Sequence, residues 1–157
     1  MAVPLKLDIT SGDKITPKEI EYEYKLMLED RSIHVLAYNL PTILAEKLET
    51  VISRGDQNTR PRDYYDIFIL TKLQSGNIDP AILRDALQAT AEKRGSVAAV
   101  KQFREIMQVV RNSPVMKRQW DDYRKDFDYA AGIEFEETCD AVTASMDTAM
   151  GKISEKD

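Results

Sequence analysis

The chain has 157 residues, 22 of them Lys or Arg and 27 Asp or Glu, for a formal net charge of -5 at pH 7. That length suits one domain, or one domain with a tail, and chains of this size bury about 70% of their unfolded surface. The acidic balance excludes general electrostatic attraction to nucleic acid or anionic lipid, so any phosphate chemistry has to come from a local basic cluster. A single cysteine, Cys139, excludes an internal disulfide and multi-cysteine metal sites, and one imidazole, His34, argues against His-rich metal centres and His-based triads. No apolar run approaches the ~20 residues of a membrane span and there is no signal-peptide core, which points to a cytoplasmic protein.

Up to Leu40 the pattern has period two. Pro4 to Ile9 is a short strand, and Ser11-Gly12-Asp13-Lys14 is a turn. From Glu19 to Leu28, Ile20, Tyr22, Tyr24, Leu26 and Leu28 alternate with Glu19, Glu21, Glu23 and Lys25, the pattern of a half-buried strand with an acidic outer face. Glu29-Asp30-Arg31-Ser32 turns the chain into a third strand, Ile33 to Tyr38. The expectation is an antiparallel or mixed sheet of about three strands, with an open edge that needs a cover.

After Asn39 the period becomes helical. Pro41 opens a helix whose stripe is Ile43, Leu44, Leu48, Val51 and Ile52, and Arg54-Gly55 ends it. A polar loop leads to a second helix from Pro61 to Leu73, stopped by Gly76-Asn77. Asp79-Pro80 starts a third, ending before Gly95, with Ile82, Leu83, Ala86 and Leu87 inward. The fourth runs from Val97 to Val110, and the fifth begins at Pro114 and passes Trp120 and Tyr123. The sixth extends from Glu134 to about Lys152 with Phe135, Cys139, Val142 and Met146 on one face. The fold class is therefore α+β: a short N-terminal sheet followed by a bundle of about six helices.

Lys47 lies four residues from both Ile43 and Val51, on an otherwise apolar helix face. It must either snorkel to water or meet a buried anion. Arg60 and Arg62 open the second helix, where the dipole favours anions, and Asp63 and Asp66 follow on one face. Two arginines beside two aspartates make either a surface ion-pair cluster or, with Lys47 on the neighbouring helix, one cleft lined by cations and carboxylates. Asp8, on the first strand, is either a turn residue or a metal ligand. His34 reads as packed or surface, Cys139 as core, Tyr22 and Tyr24 as a sheet face, and Trp120, Tyr123 and Phe127 as core. Asp126-Phe127-Asp128 falls in a helical stretch, where two such carboxylates diverge by about 200° and share no metal.

Taken together, Lys6-Leu7-Asp8-Ile9, Ser11-Gly12-Asp13, Tyr38-Asn39-Leu40, Leu44-Ala45-Glu46-Lys47-Leu48-Glu49 and Arg60-Pro61-Arg62-Asp63-Tyr64-Tyr65-Asp66 resemble the AbiEii/AbiGii toxins. These are nucleotidyltransferase-fold proteins of abortive-infection (phage-defence) toxin–antitoxin systems. The resemblance implies Mg²⁺-dependent nucleotidyl transfer from a nucleoside triphosphate, GTP by the family's example, to an RNA or protein hydroxyl. It implies Asp8 as a third metal carboxylate, Lys47, Arg60 and Arg62 as nucleotide-binding residues, and Lys47, Asp63 and Asp66 with Asp8 as the catalytic set. The family's Gly-Ser motif with its Asp-x-Asp pair has no counterpart at the matching distance, and one Asp cannot hold two Mg²⁺ ions. The chain is thus expected to be the C-terminal part of such a toxin, inactive alone. Residues 1–75 would be the remnant of the nucleotidyltransferase-like domain and 76–157 a C-terminal helical region. The other reading is a non-catalytic helical module that docks a cognate antitoxin or pairs its sheet edge with a second copy.

Overall fold

A computed structural model describes Gly12 and residues 14–151. It is an α+β arrangement: a two-stranded antiparallel sheet followed by seven helices. Strand β1 (Ile20–Lys25) pairs with β2 (Ser32–Ala37), so that Ile20 faces Ala37, Tyr22 faces Val35 and Tyr24 faces Ile33. The expected strand Pro4–Ile9 lies outside the described residues, and the sheet has two strands among those described rather than about three. Two further expectations for the hairpin are corrected. Leu28 is not on the inward face, because pairing of Lys25 with Ser32 leaves residues 26–31 as a loop, closed by the Leu26 amide donating to Arg31 at 3.0 Å. Nor is β1 half-buried: all six of its residues are exposed, and among the described residues the helices pack mainly on one another.

The helices are α1 (Leu40–Arg54), α2 (Pro61–Gln74), α3 (Pro80–Arg94), α4 (Val97–Lys101), α5 (Phe103–Asn112), α6 (Pro114–Asp126) and α7 (Phe135–Met150). Their ends follow local chemistry. The Asn39 side chain accepts from the Thr42 amide at 2.9 Å and starts α1. Its Nδ2 also donates to the carbonyls of Thr16 and Lys18, which ties the segment before the hairpin to the helix. Asp79 accepts from Ala81 and Ile82 at the start of α3, and Gly95 ends that helix at φ 71°, a left-handed position where a side chain would be strained. Glu134 and Glu137 cap α7 reciprocally.

Six helices were expected and seven are found because the stretch Val97–Val110 breaks at Gln102. The Gln102 amide is shared by the carbonyls of Ala98 and Ala99, a tightened turn that ends α4. Val100, Phe103, Met107 and Val110 all stay buried, so the apolar spacing is that of an unbroken helix and does not mark the break. One core joins all seven helices. Leu44, Leu48 and Val51 of α1 meet Tyr64 and Ile67 of α2, Leu83 and Leu87 of α3, and Val142 and Met146 of α7. Trp120 lies in this core and donates its indole N–H to the Ile133 carbonyl at 2.9 Å. Cys139 is fully buried, and His34 is exposed beside Glu21. Among the described residues no helix is long and apolar enough to cross a membrane.

Candidate functional site

Helix α1 carries Lys47 on the side that faces the first turns of α2. The loop between them is short, so the helices lie side by side and the Lys47 ammonium reaches both acids of α2. It donates to Asp63 Oδ1 at 3.2 Å and to Asp66 Oδ2 at 2.7 Å. The three side chains are 23%, 15% and 24% exposed. Lys47 therefore meets carboxylates of its own chain at the rim of the core. Arg62 stands apart: its side chain is 77% exposed, and its Nε is 3.9 Å from Asp66 Oδ2, beyond hydrogen-bond range. Arg60 precedes α2, with its amide fixed by Asn58 Oδ1 at 2.8 Å. Asp8 lies outside the described residues.

A cleft of about 290 Å³ opens over this cluster, lined by Tyr38, Lys47, Thr50, Arg60, Asp63 and Arg94 among others. A neighbouring cleft of about 370 Å³ is lined by Ser53, Arg54 and Ser96 and shares Thr50, Arg60 and Arg94 with the first, so the two make one polar groove. Lys47, Arg60 and Asp63 thus line one cleft. Asp66 joins through Lys47, and Arg62 points away from the groove's lining.

The groove contains a pair that sequence reasoning missed. Glu49 is only 2% exposed, and Arg94, at the end of α3, donates to its Oε2 at 2.5 Å and to the Thr50 hydroxyl at 3.1 Å. The signal was present: Glu49 stands among Ala45, Leu48 and Ile52 on the apolar face of α1 and raises the same question as Lys47. The answer lies 45 residues downstream.

Three polar atoms near the α1–α2 corner are buried without a hydrogen bond of ordinary geometry: Asn58 Nδ2, Asp63 Oδ2 and Tyr64 Oη. Burial pushes the Tyr64 phenol far up from its ordinary value, with further push from Cys139 and Asp63, while the nearby Asn58 amide opposes it. On the other flank of α2, Tyr65 packs 4.7 Å from Tyr129, and Tyr123 packs 4.7 Å from Phe127. The Tyr123 phenol is also raised, by burial first, then by its hydrogen bond to Tyr129 and by the charge of Asp66, with Arg62 acting in the opposite sense. Phe127 was expected in the core and is 41% exposed. Helix α6 stops at Asp126 and Phe127 turns to an extended conformation, so the Asp126-Phe127-Asp128 triplet is not helical either.

The described residues do not fit a magnesium site. Among them no three acids, histidines or cysteines gather closely enough to hold a metal, and Asp63 and Asp66 already share the Lys47 ammonium.

Residues 1–143 match the family model described as "Nucleotidyl transferase AbiEii toxin, Type IV TA system", which puts the chain among the nucleotidyltransferase toxins of toxin–antitoxin systems. It belongs to the AbiEii family. No curated protein and no solved structure matches the sequence.

Proposed function

We propose that the groove between α1, α2 and α3 places the phosphates of a nucleoside triphosphate, with GTP as the expected donor, for the nucleotidyl transfer that defines the family. The observation that carries this reading is the Lys47 ammonium, held between Asp63 and Asp66 at the mouth of a cleft that Arg60 and Arg94 also line. A lysine fixed by two acceptors presents its charge in a set direction, so a phosphate oxygen meets it without the entropy loss of freezing a free side chain. Asp63 and Asp66 act as positioning residues for Lys47. Arg60 supplies a second cation on the phosphate path, and Arg62 a third on the outer flank. Asp8 is the proposed metal carboxylate. The chain carries no Gly-Ser and Asp-x-Asp pair at the family's spacing, so it is proposed to bind phosphate without completing transfer alone. The acceptor hydroxyl, on RNA or protein, and a cognate antitoxin as partner remain part of this proposal.

The test is calorimetry with GTP and Mg²⁺, and with inorganic triphosphate. Lys47→Ala is expected to abolish the heat of binding and Asp66→Asn to weaken it several-fold. Binding left unchanged by both substitutions refutes the pocket.

One observation favours a second, non-catalytic reading. Ile20, Tyr22, Tyr24, Ile33 and Val35 form a single apolar face on the hairpin, each of them exposed. A two-stranded sheet with such a face is marginal until something covers it, and a second copy of the chain offers a self-complementary edge. Sedimentation velocity showing only monomer at high micromolar concentration refutes this reading.

A further inference from the structure

The aromatic cluster beyond α2 is larger than the core requires. Tyr65 and Tyr123 pack inward, yet Phe127 and Tyr129 stay 41% and 53% exposed while lying against each other, ring centres 5.3 Å apart and planes 30° from parallel. Polar residues at 127 and 129 would leave the core closed, because Trp120, Tyr123 and Phe135 already pack together beneath them. The two outer rings are also braced from behind. Tyr65 supports Tyr129, Tyr123 supports Phe127, and the hydroxyls of Tyr123 and Tyr129 are 3.0 Å apart. A braced ring loses little freedom when something stacks on it.

Its neighbour on α2 is a cation. At about 100° per residue, Tyr65, Arg62, Asp66 and Asp63 follow one another around the helix at steps of about 60°, 40° and 60°. Arg62 therefore stands between the aromatic face and the Lys47 cluster, its side chain 77% exposed and held to Asp66 only by a long ion pair of 3.9 Å, which leaves its guanidinium able to take a phosphate. Aromatic faces beside an arginine match a base attached to a phosphate, since every base offers a π face and guanidinium pairs with phosphate oxygens. The exposed Asp126 and Asp128 flank Phe127 and repel phosphate on that side. This favours one nucleotide, free or at the end of a strand, entering from the Arg62 side over a polyanion or an anionic lipid surface lying across the patch.

We propose that Phe127 and Tyr129 form a stacking surface for one unpaired nucleobase, with Arg62 meeting the adjoining phosphate. The inference rests on the phosphate-binding reading of the Lys47 groove only in its choice of ligand class. The base belongs either to the donor triphosphate or to a single-stranded RNA acceptor, and the arms of the experiment separate these sources.

Affinities of the full chain are measured by fluorescence anisotropy for a short labelled oligoriboadenylate and for an abasic ribose-phosphate oligomer of the same length. GTP and inorganic triphosphate form a second pair, read by calorimetry. In at least one pair the base-bearing ligand is expected to bind about tenfold tighter. The Phe127→Ala/Tyr129→Ala double variant is expected to erase that preference, and Tyr129→Phe to keep it, because the ring and not the hydroxyl stacks. Loss confined to the GTP pair assigns the base to the donor, and loss in the RNA pair assigns it to the acceptor. The double variant's folding is checked by its unfolding midpoint, and Arg62→Ala serves as a second variant, expected to weaken base-bearing and baseless ligands alike. No base preference in the wild type, no binding by any of the four ligands, or a preference that survives in the double variant overturns the proposal. Lys47-dependent binding of inorganic triphosphate is read separately, so the groove stands or falls on its own.

Discussion

Replacing Lys47 by methionine separates a held cation from a surface ion pair. Methionine keeps most of the apolar stem's packing and removes only the charge. The substitution leaves Asp63 and Asp66 one helical turn apart, both mostly out of water, with no cation between them. Breaking a fully buried pair in this way costs about 3–5 kcal/mol. Here each carboxylate keeps some contact with solvent and Arg62 is close to Asp66, so the expected loss is about 2 kcal/mol. For a chain of this size that is a fall of roughly 4–8 °C in Tm. Adding Asp63→Asn and Asp66→Asn to Lys47→Met removes the stranded charges and should recover most of the loss, because a fully neutral replacement of a buried ion cluster is often close to neutral in stability. Urea unfolding followed by circular dichroism, run as a mutant cycle, reads the coupling directly. A Lys47→Met loss below about 0.5 kcal/mol, the usual range for surface substitutions, would show that Lys47 merely snorkels and that the cluster positions nothing.

The Glu49–Arg94 pair predicts an asymmetry: Arg94→Met strands the buried Glu49 carboxylate and costs about 3 kcal/mol, whereas Glu49→Gln leaves Arg94 free to turn toward water and costs about 1 kcal/mol. Equal or reversed losses in chemical denaturation would contradict the burial of Glu49. For Cys139, burial lifts the thiol from 9.0 to about 12; a folded-state value above the unfolded one gives stability that is intact below pH 9 and lost toward pH 12, at about 1.4 kcal/mol per pH unit. Unfolding midpoints of wild type and Cys139→Ala between pH 8 and pH 11 check this, and parallel curves for the two proteins would refute it.

What could be read from the sequence was what is decided locally. Asn39, Asp79 and Ser113 accept from amides of their own helices, and Gly55 and Gly95 take positive φ where those helices end, so six of the seven helix starts lay close to where they were expected. The Lys47 cluster was legible for a related reason. A charge on an apolar stripe needs a partner, and a short loop brings the next helix's first turn alongside. The remainder depends on contacts distant in sequence. Arg94 finds Glu49 from the far end of α3, the break at Gln102 has no glycine or proline to announce it, and Phe127 leaves α6 in an extended conformation with no glycine or proline beside it to mark the stop. The alternation in β1 was read correctly as a strand, but alternation cannot say whether its apolar face has a cover, and among the described residues it has none.

The α1–α2 corner bears on whether the Lys47 cluster is kept for stability or for binding. Leu44, Leu48 and Val51 already lock α1 against Tyr64 and Ile67, all of them fully buried, so the two helices need no clamp of charges. The corner nevertheless retains polar atoms buried without a hydrogen bond of ordinary geometry, and an unsatisfied one costs about 1–3 kcal/mol relative to a satisfied group. One of them is the second oxygen of Asp63. Asp63→Ala removes that unpaired oxygen, gives up one of the two acceptors of Lys47, and loses an acid in the first turn of α2 worth about 0.5 kcal/mol against the helix dipole. These contributions oppose one another, so the variant should unfold within about 1 kcal/mol of wild type. Its Lys47 ammonium, tethered only by Asp66, should bind inorganic triphosphate several-fold more weakly. A site kept for binding at some expense of stability behaves this way. A loss of more than about 3 kcal/mol on removing Asp63, with triphosphate affinity unchanged, would instead mark the carboxylate as part of the helix joint.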